Sequence, residues 1–299
     1  MDFKKNILII ITFLIFQNIL AFSQKNSFKS ISEKTLYSTV RIETVDKNGS
    51  VYFGTGFFFR FYLRDSIVKD VIITNKHVVK NMVKGIFYFR LKDKNNSPIS
   101  KSIEKFKIYD FEDKWRNHPD SLIDLCFFDL SLYNYYFNKI NKPLFYIPIE
   151  ASIIPTNTDL KSFFAMQEIV MIGYPIALWD SVNNFPIFRK GATATYPLYD
   201  YNGEKEFLVD IAAFPGSSGS PVFILDEGGY YDNRNNYRQS SRIFFMGVLY
   251  GGPQTYIQGK AFIPDQKTNN FYNVLSSLPI NLGCVIKSSV ILDFIKLLE

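Results

Sequence analysis

Short runs of β-branched and aromatic residues recur along the chain, separated by polar turns such as residues 47–50 and 93–97. Runs at this spacing, without long amphipathic helices between them, are typical of all-β barrels and sandwiches. We therefore expect an all-β fold. The predicted strands cover residues 40–45, 51–59, 71–74, 85–91, 125–130, 169–174, 207–211, 221–225 and 243–250.

The composition indicates a sizeable core and argues against one class of partner. Of the 299 residues, 47% are hydrophobic and 17% are aromatic, which is too apolar for a disordered chain. The 34 basic and 28 acidic residues are scattered, although their balance gives a net charge of +6. Nucleic-acid-binding proteins usually gather Lys and Arg into a stripe or a run, so we expect no nucleic-acid partner.

The N-terminus has the features of a secretory signal peptide. Two lysines lie in the first five residues, residues 7–16 are apolar except for Thr12, and Ala21 and Ser23 are small. A membrane anchor is the alternative, but it needs about 20 uninterrupted apolar residues, and Gln17 and Asn18 interrupt this run. We predict a signal peptide over residues 1–23, export to the periplasm or the cell exterior, and no stable membrane span after its removal.

Two further features lie outside the predicted strands. Apolar residues recur at helical spacing after Ser289, which predicts a terminal α-helix over about 289–298. Cys126 and Cys284 both sit inside apolar runs, where a free cysteine behaves as a small hydrophobe. Export also permits a disulfide between them. Neither has a second soft ligand at metal-site spacing, so we expect no metal and no cofactor.

A candidate nucleophile lies in residues 214–221, which read Phe-Pro-Gly-Ser-Ser-Gly-Ser-Pro. A serine hydroxyl needs a base that takes its proton and donors that stabilise the oxyanion. Glycines on either side of the serines let the backbone turn sharply, so that amide N–H groups converge beside a hydroxyl. Taken alone, the segment is more typical of a flexible turn than of a catalytic site.

A candidate base and a candidate acid precede it in the chain. His77 follows an apolar strand and a short polar turn, whereas His118, the only other histidine, lies in a polar loop and is expected to be solvated. Asp124 begins an apolar run, where a carboxylate is costly to bury unless it is paired, and an imidazole N–H is a suitable partner. Asp120 and Asp129 are rivals for this role, but we favour Asp124.

The order His, Asp, Ser and the local motifs resemble the trypsin-like peptidases of the chymotrypsin fold, in the bacterial branch of glutamyl endopeptidases and Deg-type proteases. Residues 74–79, Thr-Asn-Lys-His-Val-Val, resemble the histidine motif, and Asp124 followed by apolar residues resembles the aspartate motif. Residues 216–223, Gly-Ser-Ser-Gly-Ser-Pro-Val-Phe, resemble the nucleophile motif and identify Ser218 as the nucleophile. Weaker landmarks are residues 54–57, 173–175 and 282–286.

The resemblance implies a serine endopeptidase domain over residues 24–299 that cleaves protein or peptide substrates. Its fold would be two antiparallel six-stranded β-barrels, over about 36–150 and about 160–287, with the active site between them. His77 would act as general base, Asp124 would orient it, and the backbone N–H groups of Gly216 and Ser218 would form the oxyanion hole. Ser217 departs from digestive members, which carry Asp there to pair with a freed N-terminal amine.

By position, the residues that would bind substrate are Ala213, Leu249, Tyr250 and Gly251. None supplies a charge, so the expected P1 residue is small or medium and apolar. A catalytically silent member of the fold that binds peptides or acts as a scaffold is the main alternative. An exported β-barrel binding protein with an accidental triad is another. An α/β-hydrolase is excluded because its histidine would come last in the chain.

Overall fold

The computed structural model describes residues 28–262 and 271–299. The predicted signal peptide over residues 1–23 lies outside the described residues. Within the described ranges, none of the helices has the length and apolar character required to cross a membrane.

The described residues form nineteen strands, β1 to β19, and five short α-helices, α1 to α5. The strands of the first half are β1 (Thr39–Asp46), β2 (Val51–Tyr62), β3 (Val68–Thr74), β4 (Met82–Leu91), β5 (Glu104–Tyr109), β6 (Trp115–Asn117), β7 (Cys126–Asp129), β8 (Leu144–Phe145) and β9 (Ile149–Glu150). Those of the second half are β10 (Glu168–Gly173), β11 (Ile187–Thr193), β12 (Glu206–Asp210), β13 (Pro221–Asp226), β14 (Tyr230–Tyr231), β15 (Tyr237–Arg238), β16 (Arg242–Gly251), β17 (Gln254–Phe262), β18 (Phe271–Pro279) and β19 (Leu282–Lys287). The helices are α1 (Ile31–Thr35), α2 (Lys76–Val79), α3 (Ser131–Lys139), α4 (Asn157–Ser162) and α5 (Ile295–Leu298).

The first half forms one nine-stranded sheet in the order β5-β4-β1-β2-β3-β7-β6, with β8 paired to β4 and β9 to β2. The prediction of a closed six-stranded barrel here is not met. Closure requires a hydrogen-bond ladder between the edge strands, but β6 is only three residues long and pairs only with β7. The sheet therefore remains open between β5 and β6.

The second half forms the expected six-stranded barrel, closed in the order β10-β11-β12-β19-β16-β13. Two hairpins, β14–β15 and β17–β18, lie outside this barrel, and the second of them joins β16 to β19. Burial alternates along β12. The side chains of Phe207 and Val209 are buried in the core of this barrel, while those of their neighbours in the strand are not.

The two halves share a hydrophobic core in addition to the core of each. Phe57 and Phe59 of β2 meet Phe223 of β13 and Phe245 of β16 in this shared cluster, and the rings of Phe57 and Phe245 lie 5.3 Å apart. Each of these side chains is fully buried. Burying an aromatic side chain of this size stabilises the fold by roughly 1.5–3 kcal/mol, so the shared core holds the two halves together.

Two buried arginines also join the halves. Arg41 of β1 stacks on the ring of Trp179 at 4.9 Å, and Arg90 of β4 stacks on the ring of Phe185 at 4.7 Å. Both aromatic residues belong to the segment that follows β10. Tyr174 of the same segment contacts Thr39 through its hydroxyl at 3.5 Å. The segment between β10 and β11 is thus fixed against the first sheet.

The C-terminal segment is mostly a 3-10 helix over Ser288–Phe294, and only α5 is α-helical. The prediction of an α-helix over about 289–298 is therefore wrong for most of its length. The carbonyl of Val290, which would accept an i+4 amide in an α-helix, accepts a hydrogen bond from Nε2 of His118 at 2.9 Å. His118 is only 4% exposed and packs on the ring of Phe294, so the expectation that it is solvated is also wrong.

Candidate active site

His77 lies in the first turn of α2, directly after the buried end of β3. The last four residues of β3 are buried, and Asn75 occupies the N-cap position of α2. The side chain of His77 is 48% exposed, whereas the following two valines are buried. The rigid strand therefore holds the imidazole at the surface of the molecule, in a position to react.

Asp124 pairs with His77 through two hydrogen bonds. Its Oδ2 lies 2.6 Å from Nδ1 of His77, and its Oδ1 accepts the backbone N–H of the same residue at 3.2 Å. The rival carboxylates are engaged elsewhere, because Asp120 accepts the N–H of Leu122 and Asp129 pairs with Lys69. A carboxylate on Nδ1 places the imidazole proton there and leaves Nε2 free to accept one.

Two residues of the histidine motif hold the aspartate loop in place. The side chain of Asn75 is fully buried, and its Nδ2 donates to the backbone carbonyl of Asp124 at 2.8 Å. Nζ of Lys76 donates to the carbonyls of Asp120 and Ser121 at 3.3 and 3.2 Å. Sequence reasoning did not assign these roles. The sequence did hold an indication for Asn75, because an amide side chain that is buried next to a candidate base needs a hydrogen-bond partner nearby.

The candidate nucleophile lies on a sharply turned loop. Gly216 and Gly219 have φ values of +90° and +86°, a left-handed conformation that glycine adopts without a steric cost. A Cβ on Gly219 would overlap the carbonyl oxygen of Thr55. Within residues 216–220, Ser218 is the one residue that is not buried. The loop therefore presents the Ser218 side chain at the surface.

Thr55 of β2 connects this loop to the first sheet. Its N–H donates to the carbonyl of Ser218 at 2.9 Å, and its Oγ1 donates to the carbonyl of Gly216 at 3.0 Å. The same Oγ1 accepts the N–H of Tyr174 at 3.1 Å, and its carbonyl accepts Oγ1 of Thr74 at 2.7 Å. Three of these four hydrogen bonds join the nucleophile loop, through Thr55, to the strand that leads to the histidine.

Ser218 Oγ donates to the carbonyl of Tyr250 at 3.3 Å, and among the described hydrogen bonds none joins it to His77. The two residues are nevertheless near each other. Thr55 bonds the Ser218 backbone, and the adjacent Gly54 lies against Val78, the neighbour of His77. A rotation about the Ser218 Cα–Cβ bond redirects its hydroxyl without moving the backbone.

The amides of Gly216 and Ser218 are available as donors. The other amides of the loop are engaged, with Ser217 donating to Phe214 and Gly219 donating to Leu249. Within the described part of the chain, the N–H groups of Gly216 and Ser218 donate to no protein acceptor. Unpaired amides beside a serine hydroxyl are the arrangement that stabilises an oxyanion.

The predicted substrate-binding residues have different environments. Leu249 is 1% exposed and packs in the barrel core, and Ala213 packs against the same core. Leu249 contacts the nucleophile loop through its backbone, which bonds Gly219 and Ser220. Tyr250 is half-buried, and the space beside Gly251 is open. Leu249 therefore supports the loop, while Tyr250 and Gly251 border accessible space.

Both cysteines are free thiols. Burial raises the pKa of the Cys126 thiol well above its usual value, which keeps it protonated and unreactive. In the portion of the chain that the structure describes, no group of three or more His, Cys, Asp and Glu side chains is arranged to hold a metal ion.

A comparison with protein families shows which family the chain belongs to. The family model described as a trypsin-like peptidase domain matches residues 54–229, more than half of the chain. The chain belongs to the trypsin-like peptidase family. The predicted membership of this family is confirmed, and the match includes His77, Asp124 and Ser218. The specific resemblance to glutamyl endopeptidases stays a prediction.

A comparison with solved structures also found similar proteins. The active form of the Rv3671c protease from M. tuberculosis is 15% identical, with a TM-score of 0.40 over 86% of this chain and 79% of that one. The HtrA-type protease AlgW with tripeptide is 11% identical, with a TM-score of 0.44 over 91% of this chain and 63% of that one. Deg5 is 14% identical, with a TM-score of 0.40 over 73% of this chain and 81% of that one. No curated protein sequence matches the chain.

Proposed function

We propose that the protein is an exported serine endopeptidase that hydrolyses peptide bonds through an acyl-enzyme intermediate. The observation that carries the proposal is the 2.6 Å contact between Nδ1 of His77 and Asp124. A positioned base, its orienting carboxylate and a serine on a glycine turn together form the minimal apparatus for acyl transfer.

In this mechanism the Ser218 hydroxyl rotates from the Tyr250 carbonyl toward Nε2 of His77. The imidazole takes the hydroxyl proton as Oγ forms a bond to the scissile carbonyl carbon. The oxyanion is stabilised by the amides of Gly216 and Ser218, and Asp124 stabilises the imidazolium. His77 then protonates the leaving amine, and a water molecule that His77 deprotonates releases the acyl group from Ser218.

The surroundings of the loop support a small or medium apolar P1 residue, with Ala213 and Gly251 at its sides. No carboxylate is available next to the nucleophile for an ion pair with a freed N-terminal amine, because Ser217 stands there and is 1% exposed. The predicted signal peptide over residues 1–23 supports export to the periplasm or the cell exterior.

A fluorophosphonate probe tests this function, because it labels a serine only when a base activates it. We expect the folded native protein to be labelled and to cleave an unstructured protein such as casein, and both Ser218→Ala and His77→Ala to be unlabelled. Ser220→Ala is the matched control, since Ser220 is fully buried two residues away and its hydroxyl has no partner. Absence of labelling in the folded native protein would overturn the proposal.

A catalytically silent peptide-binding or scaffold protein is the second candidate. The hydrogen bond from Ser218 Oγ to the Tyr250 carbonyl favours it, because the hydroxyl is turned away from the base. The two candidates differ in the labelling experiment. A silent protein binds peptides with or without Ser218 and is not labelled, whereas the peptidase is labelled at Ser218 alone.

A further inference from the structure

A cavity of about 270 Å³ lies between Asp124, in the loop before β7, and Tyr250 of the barrel. Tyr250 is the residue whose carbonyl accepts the Ser218 hydroxyl, so the cavity borders the proposed reaction centre on two sides. Ile123 and Ile286 supply apolar walls, and Glu206 supplies a carboxylate. The cavity therefore lies beside the residues proposed to act on the scissile bond.

The strand register aims the Glu206 side chain at this cavity. Glu206 of β12 pairs with Ile286 of β19, so the two side chains share one face of the barrel wall. The next residue, Phe207, points to the opposite face and is buried in the barrel core. The carboxylate therefore lies on the outer face of the barrel, toward the first sheet.

Tyr250 holds the carboxylate in position. The β16–β19 register shifts between Leu249 and Gly251, so Tyr250 lies at a bulge, a feature that re-aims side chains near active sites. Its hydroxyl donates to Oε2 of Glu206. Burial, followed by this hydrogen bond to Glu206, raises the pKa of the Tyr250 phenol. The phenol is therefore neutral near pH 7. It holds the Glu206 carboxylate by a hydrogen bond but supplies no positive charge to balance it.

Lys205 also lines the cavity, but its ammonium group pairs with another carboxylate, as does that of Lys287. Lys205 and Lys287 both bind Asp200, each at 2.7 Å. In the described ranges, neither Glu204 nor Glu206 forms an ion pair, although both border the cavity. Asp124, the third carboxylate at the cavity, is engaged by His77. The cavity therefore combines apolar walls with a net negative charge.

We propose, building on the peptidase function above, that this cavity binds a Lys or Arg side chain of the substrate and that Glu206 selects it. The site is distinct from the P1 pocket proposed beside Ala213 and Gly251. The aliphatic stem of a basic side chain packs on Ile123 and Ile286, as such stems do on apolar surfaces. Its cationic end meets the Glu206 carboxylate, and an acidic substrate side chain is repelled.

Quenched-fluorescence peptides test the proposal when each position around the scissile bond carries Lys, Arg, norleucine or Glu in turn. At one position we expect kcat/KM to be about five- to tenfold higher for Lys or Arg than for Glu. The ratio should fall as the salt concentration rises, because solvent screens the pair. Glu206→Gln should abolish it. Glu168→Gln is the control, since this exposed glutamate of β10 pairs with Lys190 and does not border the cavity.

A second variant separates the position of the carboxylate from its charge. Tyr250→Phe keeps the Glu206 side chain but removes its hydrogen bond, so we expect KM for the basic peptides to rise more than kcat falls. Tyr250→Phe should therefore keep part of the preference for basic peptides, whereas Glu206→Gln should lose all of it, because the charge itself is removed.

Failure of this inference and failure of the peptidase function give different results. The Ser218→Ala protein still binds peptides, so fluorescence anisotropy reports the preference for basic peptides without hydrolysis. Equal binding of Lys and Glu peptides at every position would overturn the inference. So would a preference that survives in Glu206→Gln. A missing fluorophosphonate label on Ser218 would instead overturn the peptidase function.

Discussion

The replacement Thr55→Val tests the link between the two halves of the site. Valine has the shape of threonine but lacks the hydroxyl that donates to the Gly216 carbonyl and accepts the Tyr174 amide. Both partners are in buried surroundings, so the change leaves a buried carbonyl and a buried amide without a hydrogen bond. Each such group costs about 1–3 kcal/mol. With two such groups, we expect the free energy of unfolding to fall by roughly 2–6 kcal/mol.

The same change should lower activity by more than the loss of folded protein explains. Gly216 supplies one of the two proposed oxyanion donors, and losing one such donor typically costs about 10²–10³ in kcat. Because Thr55→Val loosens the donor without removing it, we expect the rate of fluorophosphonate labelling to fall at least tenfold in protein that is still folded. Urea denaturation measures the first effect, and the rate of fluorophosphonate labelling below the transition measures the second.

Thr44→Val is the matched control, because the same chemical change is made where the hydroxyl has no partner. Thr44 of β1 is fully buried, and its Oγ1 makes no hydrogen bond. Removing an unpaired buried hydroxyl relieves a desolvation cost, so this variant should be as stable as the native protein or more stable by about 1 kcal/mol. Equal destabilisation of the two variants would refute the reasoning, as would normal labelling rates in folded Thr55→Val.

Two further predictions concern the loop and the segment after β10. Gly219→Ala should lower the labelling rate at least 100-fold, because its Cβ overlaps a carbonyl of β2. Gly203→Ala is the control, since Gly203 has a similar φ of +84° but open space around it. This variant should cost only about 1–2 kcal/mol of stability and no activity. Normal labelling of Gly219→Ala would contradict the loop geometry. Burial raises the pKa of Tyr174 from 10.0 to about 12, so its contribution to stability is present below pH 10 and is lost as pH rises toward 12. Between pH 10 and 12 the free energy of unfolding of the native protein should therefore fall by roughly 2–3 kcal/mol more than that of Tyr174→Phe. Urea denaturation at each pH measures this difference, and identical pH profiles for the two proteins would contradict the prediction.

The sequence predicted the features whose signals lie in contiguous motifs. The contact between His77 and Asp124 was predicted because each residue adjoins an apolar strand that fixes its position. The glycine turn at Ser218 was predicted for the same reason, since positive φ values leave a mark in the residue types. Their catalytic roles stay predictions.

Features that depend on contacts between distant segments could not be read from the sequence. His118 looked solvated because its own loop is polar, yet its partner is a carbonyl of the C-terminal segment, far along the chain. That same bond accompanies the 3-10 geometry that replaced the predicted α-helix. The openness of the first sheet depends on how β6 pairs, and a three-residue strand gives no periodic pattern. The pair of Glu206 and Tyr250 depends on a strand register and a bulge, which alternation alone does not reveal.

The two arginines that stack across the halves have a consequence for chains that are only partly folded. Each cation–ring contact is worth about 0.5–2 kcal/mol, and each exists only when both halves are in place. His77 belongs to one half and Ser218 to the other, so a chain with one half unfolded has neither the contacts nor a working site. A partly folded chain therefore lacks the proposed triad, and the candidate site forms together with the contacts that join the two halves.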